Sequence, residues 1–229
     1  MKRIAISFSL ILVILGCQNL GAQNSDFLMD ERDGHIYLVA KFNDQWWMCQ
    51  NLKYDAGEGS GCYEDDETNC MLKGRLYSWS AARQACPAGY HLPTDDEWKK
   101  LESYIGMNKD DLDKTFNRNS GTIGKFLRMS GGLGFDADYA GMINAKGSSS
   151  YKDIRSFFWT ASEKDETYAW LRIIEKTKDG VERQTFDKKQ KYSVRCIKAA
   201  DPDNMENEDR KGERKEEDRE RKPKQDKEF

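Results

Sequence analysis

Histidine is nearly missing from this chain: His35 and His91 are the only two. They stand far apart, and no two cysteines are separated by two to four residues, so the usual ligand sets for structural or catalytic zinc are absent. No metal site is expected on that ground. Long apolar runs are missing as well, because nothing beyond the first sixteen residues is long and apolar enough to span a bilayer as a helix. Proline is scarce, with four residues, and no segment repeats. Neither charge sign dominates: 37 basic side chains face 40 acidic ones, a net charge of −3, and no basic stripe marks a nucleic-acid partner.

What is present begins at the N-terminus. Met1-Lys2-Arg3 is followed by an apolar run from Ile4 to Leu15 and then by Gly16-Cys17-Gln18-Asn19. A charged start, a short apolar middle and a small residue before a cut are the layout of a secretory signal. The cysteine behind Gly16 resembles a bacterial lipobox, with Ile14 where leucine is usual, and that resemblance implies lipidation of Cys17 after removal of residues 1–16. The membrane would then be the first partner, through the N-terminal lipid, on the outer membrane or cell surface of a bacterium. Ordinary secretion with cleavage near Ala22-Gln23 is the plainer alternative. Residues 17–29 read as a spacer and residues 30–198 as one domain.

The C-terminal stretch, residues 199–229, has another composition. From Asp201 onward it holds twelve acidic and nine basic side chains and, of large apolar ones, only Met205 and Phe229. Such a segment buries too little to offset its ordering entropy and reads as a charged, solvated tail. Its mixed signs suggest neither nucleic acid nor anionic lipid.

Five cysteines remain after Cys17, an odd number. Export would favour disulfides over thiol chemistry. Cys62 and Cys70 bracket the polar stretch Tyr63-Glu64-Asp65-Asp66-Glu67-Thr68-Asn69, where a local bridge would pin a loop with little core of its own. A bridge between Cys86 and Cys196 would close a long loop. Chain entropy values the two closures at about 2.5 and about 4.7 kcal/mol. Cys49 is left over and reads as a buried thiol acting as a small hydrophobe.

Local patterns give an α+β domain. Ile36 to Phe42, the turn Asn43-Asp44 and Gln45 to Leu52 read as a hairpin. Leu76 to Ala85 reads as a helix ended by Pro87. Thr94 and Glu97 form a capping box ahead of Trp98, Leu101 and Ile105, which predicts a second helix. A short helix is expected over Thr122 to Met129, then a glycine-rich stretch (Gly131, Gly132, Gly134, Gly141, Gly147). Strands are expected over Tyr139–Ile143, Phe157–Ser162, Tyr168–Ile174 and Tyr192–Lys198, with the first and last strands paired.

Several blocks carry a family resemblance. They are Asp33-Gly34-His35-Ile36-Tyr37, Gln45-Trp46-Trp47-Met48-Cys49-Gln50-Asn51-Leu52-Lys53-Tyr54 and Gly74-Arg75-Leu76-Tyr77-Ser78-Trp79. Ala85-Cys86-Pro87-Ala88-Gly89-Tyr90-His91-Leu92-Pro93-Thr94, Phe158-Trp159-Thr160-Ala161-Ser162 and Ser193-Val194-Arg195-Cys196 continue them. In this order they resemble the Fibrobacter succinogenes major paralogous domain, found in exported proteins and lipoproteins. The resemblance implies a C-type-lectin-like fold with two main helices, a small looped antiparallel sheet and a long-range disulfide. Cys49 and Gln50 depart from the family's usual alanine and glutamate. The resemblance implies no substrate.

Candidate ligand-binding residues are Trp46, Asp65, Asp66, Asp136 and Asp138. Adjacent tryptophans in a strand face opposite sides, so Trp46 or Trp47 would be left to pack at an edge or to stack on a sugar or a protein partner. Calcium is the one cation the acidic residues would suit, but Asp65-Asp66-Glu67 lacks EF-hand spacing, and the Glu-Pro-Asn, Gln-Pro-Asp and Trp-Asn-Asp tripeptides of sugar-binding lectins are absent. A solvated loop is the default, with no cofactor. The run from His91 to Trp98 is similar to one in formylglycine-generating enzymes, whose catalytic cysteines have no counterpart here. The expected function is a non-catalytic binding module of the envelope, for a glycan or an envelope protein. The alternatives are a structural envelope lipoprotein without ligand and, ranked below it, an enzyme related to the formylglycine-generating fold.

Overall fold

The computed structural model describes residues 25–118, 123–128 and 134–199. Strand β1 (Ser25–Met29) leads into the hairpin of β2 (Ile36–Phe42) and β3 (Gln45–Met48). Next come β4 (Ser60–Gly61), a single 3-10 turn (Tyr63–Asp65), α1 (Glu67–Lys73) and β5 (Leu76–Tyr77). The helices α2 (Trp79–Ala85), α3 (Asp95–Tyr104) and α4 (Lys109–Leu112) precede β6 (Phe116–Arg118) and α5 (Ile123–Leu127). Strands β7 (Met142–Ile143), β8 (Ser149–Ser150), β9 (Arg155–Glu163), β10 (Tyr168–Glu175), β11 (Val181–Asp187) and β12 (Ile197–Ala199) complete the domain. Mixed helices and antiparallel sheets make this an α+β fold. Among the described residues no helix is long and apolar enough to cross a membrane.

Two four-stranded sheets, ordered β1-β2-β3-β12 and β6-β11-β10-β9, carry the core. The segment just before β12 joins them. Ser193 exchanges backbone bonds with Phe157 and Trp159 on one side, while Val194 and Cys196 accept from the Leu52 and Met48 amides on the other. This is why Tyr192–Lys198, expected as one strand, forms only isolated bridges before β12: its backbone serves two sheets in turn. The first and last strands do share a sheet, but β12 lies against β3 rather than β2.

Both anticipated disulfides are present. Cys62 joins Cys70, and Cys86 joins Cys196, with Cα atoms 5.1 and 5.7 Å apart. The second ties the C-cap of α2 to the residue preceding β12. Cys49 stands in neither and is buried.

Several local expectations are corrected. The Cys62–Cys70 stretch is not a bare loop: Asp66 accepts a hydrogen bond from the Thr68 amide and starts α1, whose buried face is Cys70. The helix expected over Leu76–Ala85 begins later, because Leu76 and Tyr77 pair with β4 and Ser78 caps the helix at Ala81. The strand expected over Tyr139–Ile143 shrinks to Met142–Ile143. Gly141 has φ +71 there, and a Cβ on it would run into the Ser150 carbonyl. The short helix expected over Thr122–Met129 is seen as Ile123–Leu127, and its two outer residues lie outside the described residues. Residues 25–29, read as spacer, form β1, because Leu28 packs against the core opposite Tyr37. The capping box at α3 is formed in full: Thr94 accepts from the Glu97 amide, and the Glu97 carboxylate accepts from the Thr94 amide.

Aromatic side chains fill two adjoining cores. In the first, the Trp79 and Trp159 indoles donate to the carbonyls of Thr160 and Tyr77, each at 2.8 Å. In the second, Trp47, Trp98, Phe135 and Phe158 pack edge to face or tilted, with ring centroids 4.8 to 5.9 Å apart. Beside it lies a group of buried charges. Asp95 and Glu102, seven residues apart on α3, meet Arg118, Arg172 and Arg183 from β6, β10 and β11. Burial alone would raise both carboxyls, but the guanidiniums hold Asp95 well below the usual carboxylate range and Glu102 below it too.

Candidate functional site

The candidate residues named from sequence do not converge. Cys17 lies outside the described residues. Asp66 is spent on capping α1, and Asp65 sits in the preceding 3-10 turn at φ +53. At the other end of α1, Lys73 places its ammonium 3.0 Å from Asp138 and 2.9 Å from Asp153. A side-chain cation thus already occupies the Asp138 carboxylate. Asp136 presents its backbone carbonyl inward, where Arg195 donates to it at 2.9 Å. Trp46 is half-buried and packs against the first core, while Trp47 points into the second. The sulfurs of Cys62 and Cys70 lie near Glu67, but they are bonded to each other, and Glu67 is bound by Arg75, so the trio holds no thiolate ligands.

The blocks that carry the family resemblance do structural work that can be read atom by atom. Arg195 is fully buried and donates to Asn51 Oδ1 at 2.7 Å, to the Met48 carbonyl at 3.1 Å and to the Phe135 carbonyl. Asn51 donates onward to the Lys73 carbonyl at 2.8 Å. Arg195 therefore fixes Phe135 and Asp136 to the loop after β3. Gln50, where the family resemblance leads one to expect glutamate, accepts from the Leu38 amide at 2.8 Å, a bond either side chain can make.

A cleft of about 380 Å³ lies elsewhere, lined by Arg32, Tyr54, Ala56, Glu58, Ser80 and Gln84 together with Ala81. Three segments build it: the turn between β1 and β2, the loop after β3, and the outer face of α2. Arg32 ties these segments together. Its guanidinium grips the buried Asp30 carboxylate through two nitrogens, at 2.8 and 2.7 Å, and donates to the Ala85 carbonyl at 2.8 Å. It also lies over the Tyr54 ring, 3.6 Å from the centroid. The hydrogen bonds from Arg32 hold the Asp30 carboxyl below its ordinary value, and Asp30 in turn raises the guanidinium. The Tyr54 backbone is fixed from below, its carbonyl accepting from the Tyr77 hydroxyl at 2.6 Å.

On this rigid base Glu58, Ser80 and Gln84 are exposed. They offer a carboxylate acceptor, a hydroxyl and an amide with both donor and acceptor. Such a set can hydrogen-bond a ligand rich in hydroxyl groups. A second cleft of about 460 Å³, lined by Asn43, Asp96, Lys99, Lys100, Ser103, Tyr104 and Leu112, is less suited to that task. Its lysines are engaged internally: Lys99 with Asp95, Asp96 and Asp113, and Lys100 with Asp44.

Sequence reasoning did not find this cleft. Tyr54 stood at the end of a recognised block, but Arg32, Glu58, Ser80 and Gln84 carry no motif and come together only through packing.

The family model for the Fibrobacter succinogenes major domain matches residues 40–198. No curated protein and no solved structure matches the chain.

Proposed function

The chain belongs to the Fibrobacter succinogenes major domain family, and on that footing we propose that it is an exported, lipid-anchored, non-catalytic binding module of the bacterial envelope, with the Arg32–Tyr54–Gln84 cleft as its ligand site. The observation that carries the reading is the make-up of that cleft: the pairing of Arg32 with the buried Asp30 and its stacking on the Tyr54 ring hold the floor, and exposed polar groups of both hydrogen-bonding senses line the rim. Hydroxyl-rich ligands of the glycan class fit such a rim, because each sugar hydroxyl both donates and accepts.

Two disulfides support an oxidising compartment, and the leader ending at Gly16, just ahead of Cys17, supports export with a lipid anchor. First and last strands in one sheet, helices α2 and α3 and the long-range Cys86–Cys196 bridge are in keeping with a C-type-lectin-like fold. A binding role is favoured over catalysis by the run from His91 to Trp98. Its Thr94 and Glu97 are both used in capping α3, and His91 bonds Glu97 at 2.8 Å.

The test is binding of the purified domain to arrayed glycans and cell-wall polysaccharides, beside Gln84→Ala and Glu58→Gln. Retained stability with lost binding in the variants is the expected result. Absence of binding by the parent protein across the array would leave the structural alternative standing. Mass measurement of the mature N-terminus checks the anchor: a diacylglyceryl-modified Cys17 is expected, and an unmodified chain starting at Gln23 would overturn it.

A further inference from the structure

Strand β1 is the outer strand of its sheet, and one of its faces is apolar and uncovered. Phe27 and Met29 alternate onto the same face, and Met29 stands directly opposite Ile36 of β2. The three side chains are 59, 58 and 56 % exposed. Leu28, between them, turns the other way and packs against the first core. Three large apolar groups on one face of an edge hairpin form an interaction surface rather than scattered surface hydrophobes.

The position of this surface in the chain says what covers it. Seven residues, 18–24, separate Cys17 from Ser25, so a lipid on Cys17 keeps the first residue of β1 within about 28 Å of the bilayer surface at full extension. We propose that Phe27, Met29 and Ile36 dock on the bilayer that holds the lipid anchor, seating the β1–β2 hairpin at the membrane. The inference rests on the reading of Cys17 as lipidated. Acylation supplies the attachment, and the patch supplies orientation. Asp26, Glu31 and Asp33 are exposed on the same hairpin and its turn. The charge around the patch therefore suits zwitterionic rather than anionic lipid, and the contact is hydrophobic, insensitive to screening.

The test uses the full chain made in a lipoprotein-processing bacterium and placed in phosphatidylethanolamine–phosphatidylcholine vesicles. An environment-sensitive fluorophore is attached through Met29→Cys, and through Glu166→Cys between β9 and β10 as a reference. A blue shift with quenching by brominated lipid at position 29, absent at 166 and unchanged by added salt, is the expected result. The same emission at both positions overturns docking. A blue shift that appears without vesicles and grows with protein concentration assigns the patch to a second copy of the chain and overturns it too. The mass of the N-terminal peptide from the same sample separates the two ideas. A lipidated Cys17 with no contact at position 29 defeats the docking alone, whereas an unlipidated start defeats the anchor and the docking together.

Discussion

Arg172 and Arg183 stand directly opposite each other on adjacent antiparallel strands, and Asp95 accepts hydrogen bonds from both. Like charges in that register repel unless a counter-charge lies between them. Asp95 supplies it from the first turn of α3, and Glu102, nearly two turns on, binds Arg172 and Arg118 in the same way. Helix α3 is thus fixed to the second sheet by charge as well as by Trp98. Each buried ion has its partner, which is the condition under which such groups are tolerated.

Removing one member should be costly. Glu102→Gln leaves Arg118 and Arg172 short of a counter-charge in a buried site, and a loss of about 3–5 kcal/mol is expected. Urea unfolding of the variant beside the parent measures it. A loss no larger than that of an exposed substitution such as Lys125→Gln would show that the arginines find other partners.

The same carboxylates set an acid limit. Both have pKa values lowered in the folded state, so their contribution is complete above the unfolded values of about 4 and is lost as pH falls through the folded ones. Unfolding free energy should vary little from about pH 7 to about pH 5 through these groups and then drop in acid. The drop should be shallower in Asp95→Asn. Parallel pH profiles for variant and parent would refute the assignment.

The two disulfides should differ in weight. Closing the loop between Cys86 and Cys196, 110 residues apart, is worth up to about 4.7 kcal/mol. Closing the eight-residue separation of Cys62 and Cys70 is worth up to about 2.5. Paired Cys→Ala substitutions, compared by denaturant midpoint, should rank in that order. A reversed ranking would mean that the α1 segment depends on its bridge for more than loop closure.

Gly74 ends α1 at φ +84, and a Cβ there would lie 2.5 Å from Asn51 Cβ. Gly74→Ala should cost about 1–3 kcal/mol by thermal or urea unfolding, from backbone strain and from pushing on the residue that holds Arg195. An unchanged midpoint would argue that the loop after β3 yields freely.

Much of the fold was legible because local chemistry and tertiary role agreed. The capping box placed α3, the alternation across Asn43-Asp44 placed the β2–β3 hairpin, and the cysteine positions matched both bridges. Where they disagreed, the sequence misled. Strand β11 was missed because its inward residues are Val181 and Arg183, and an arginine at a core position hides the alternation. Strand β1 reads as spacer in the sequence because only Leu28 of its five residues is turned to the core. Helix α1 looked like solvent because its burial rests on one cysteine. The cleft was invisible for a different reason: its lining is drawn from three segments with ordinary surface composition, and only folding makes them neighbours.

The Cys86–Cys196 bond also decides what a single proteolytic cut would do. Its sulfurs bracket most of the domain, so a peptide bond cut anywhere between Pro87 and Arg195 leaves two pieces that stay covalently joined. A nicked molecule would keep every strand attached, travel as one species until reduced, and retain whatever is fastened at its N-terminus.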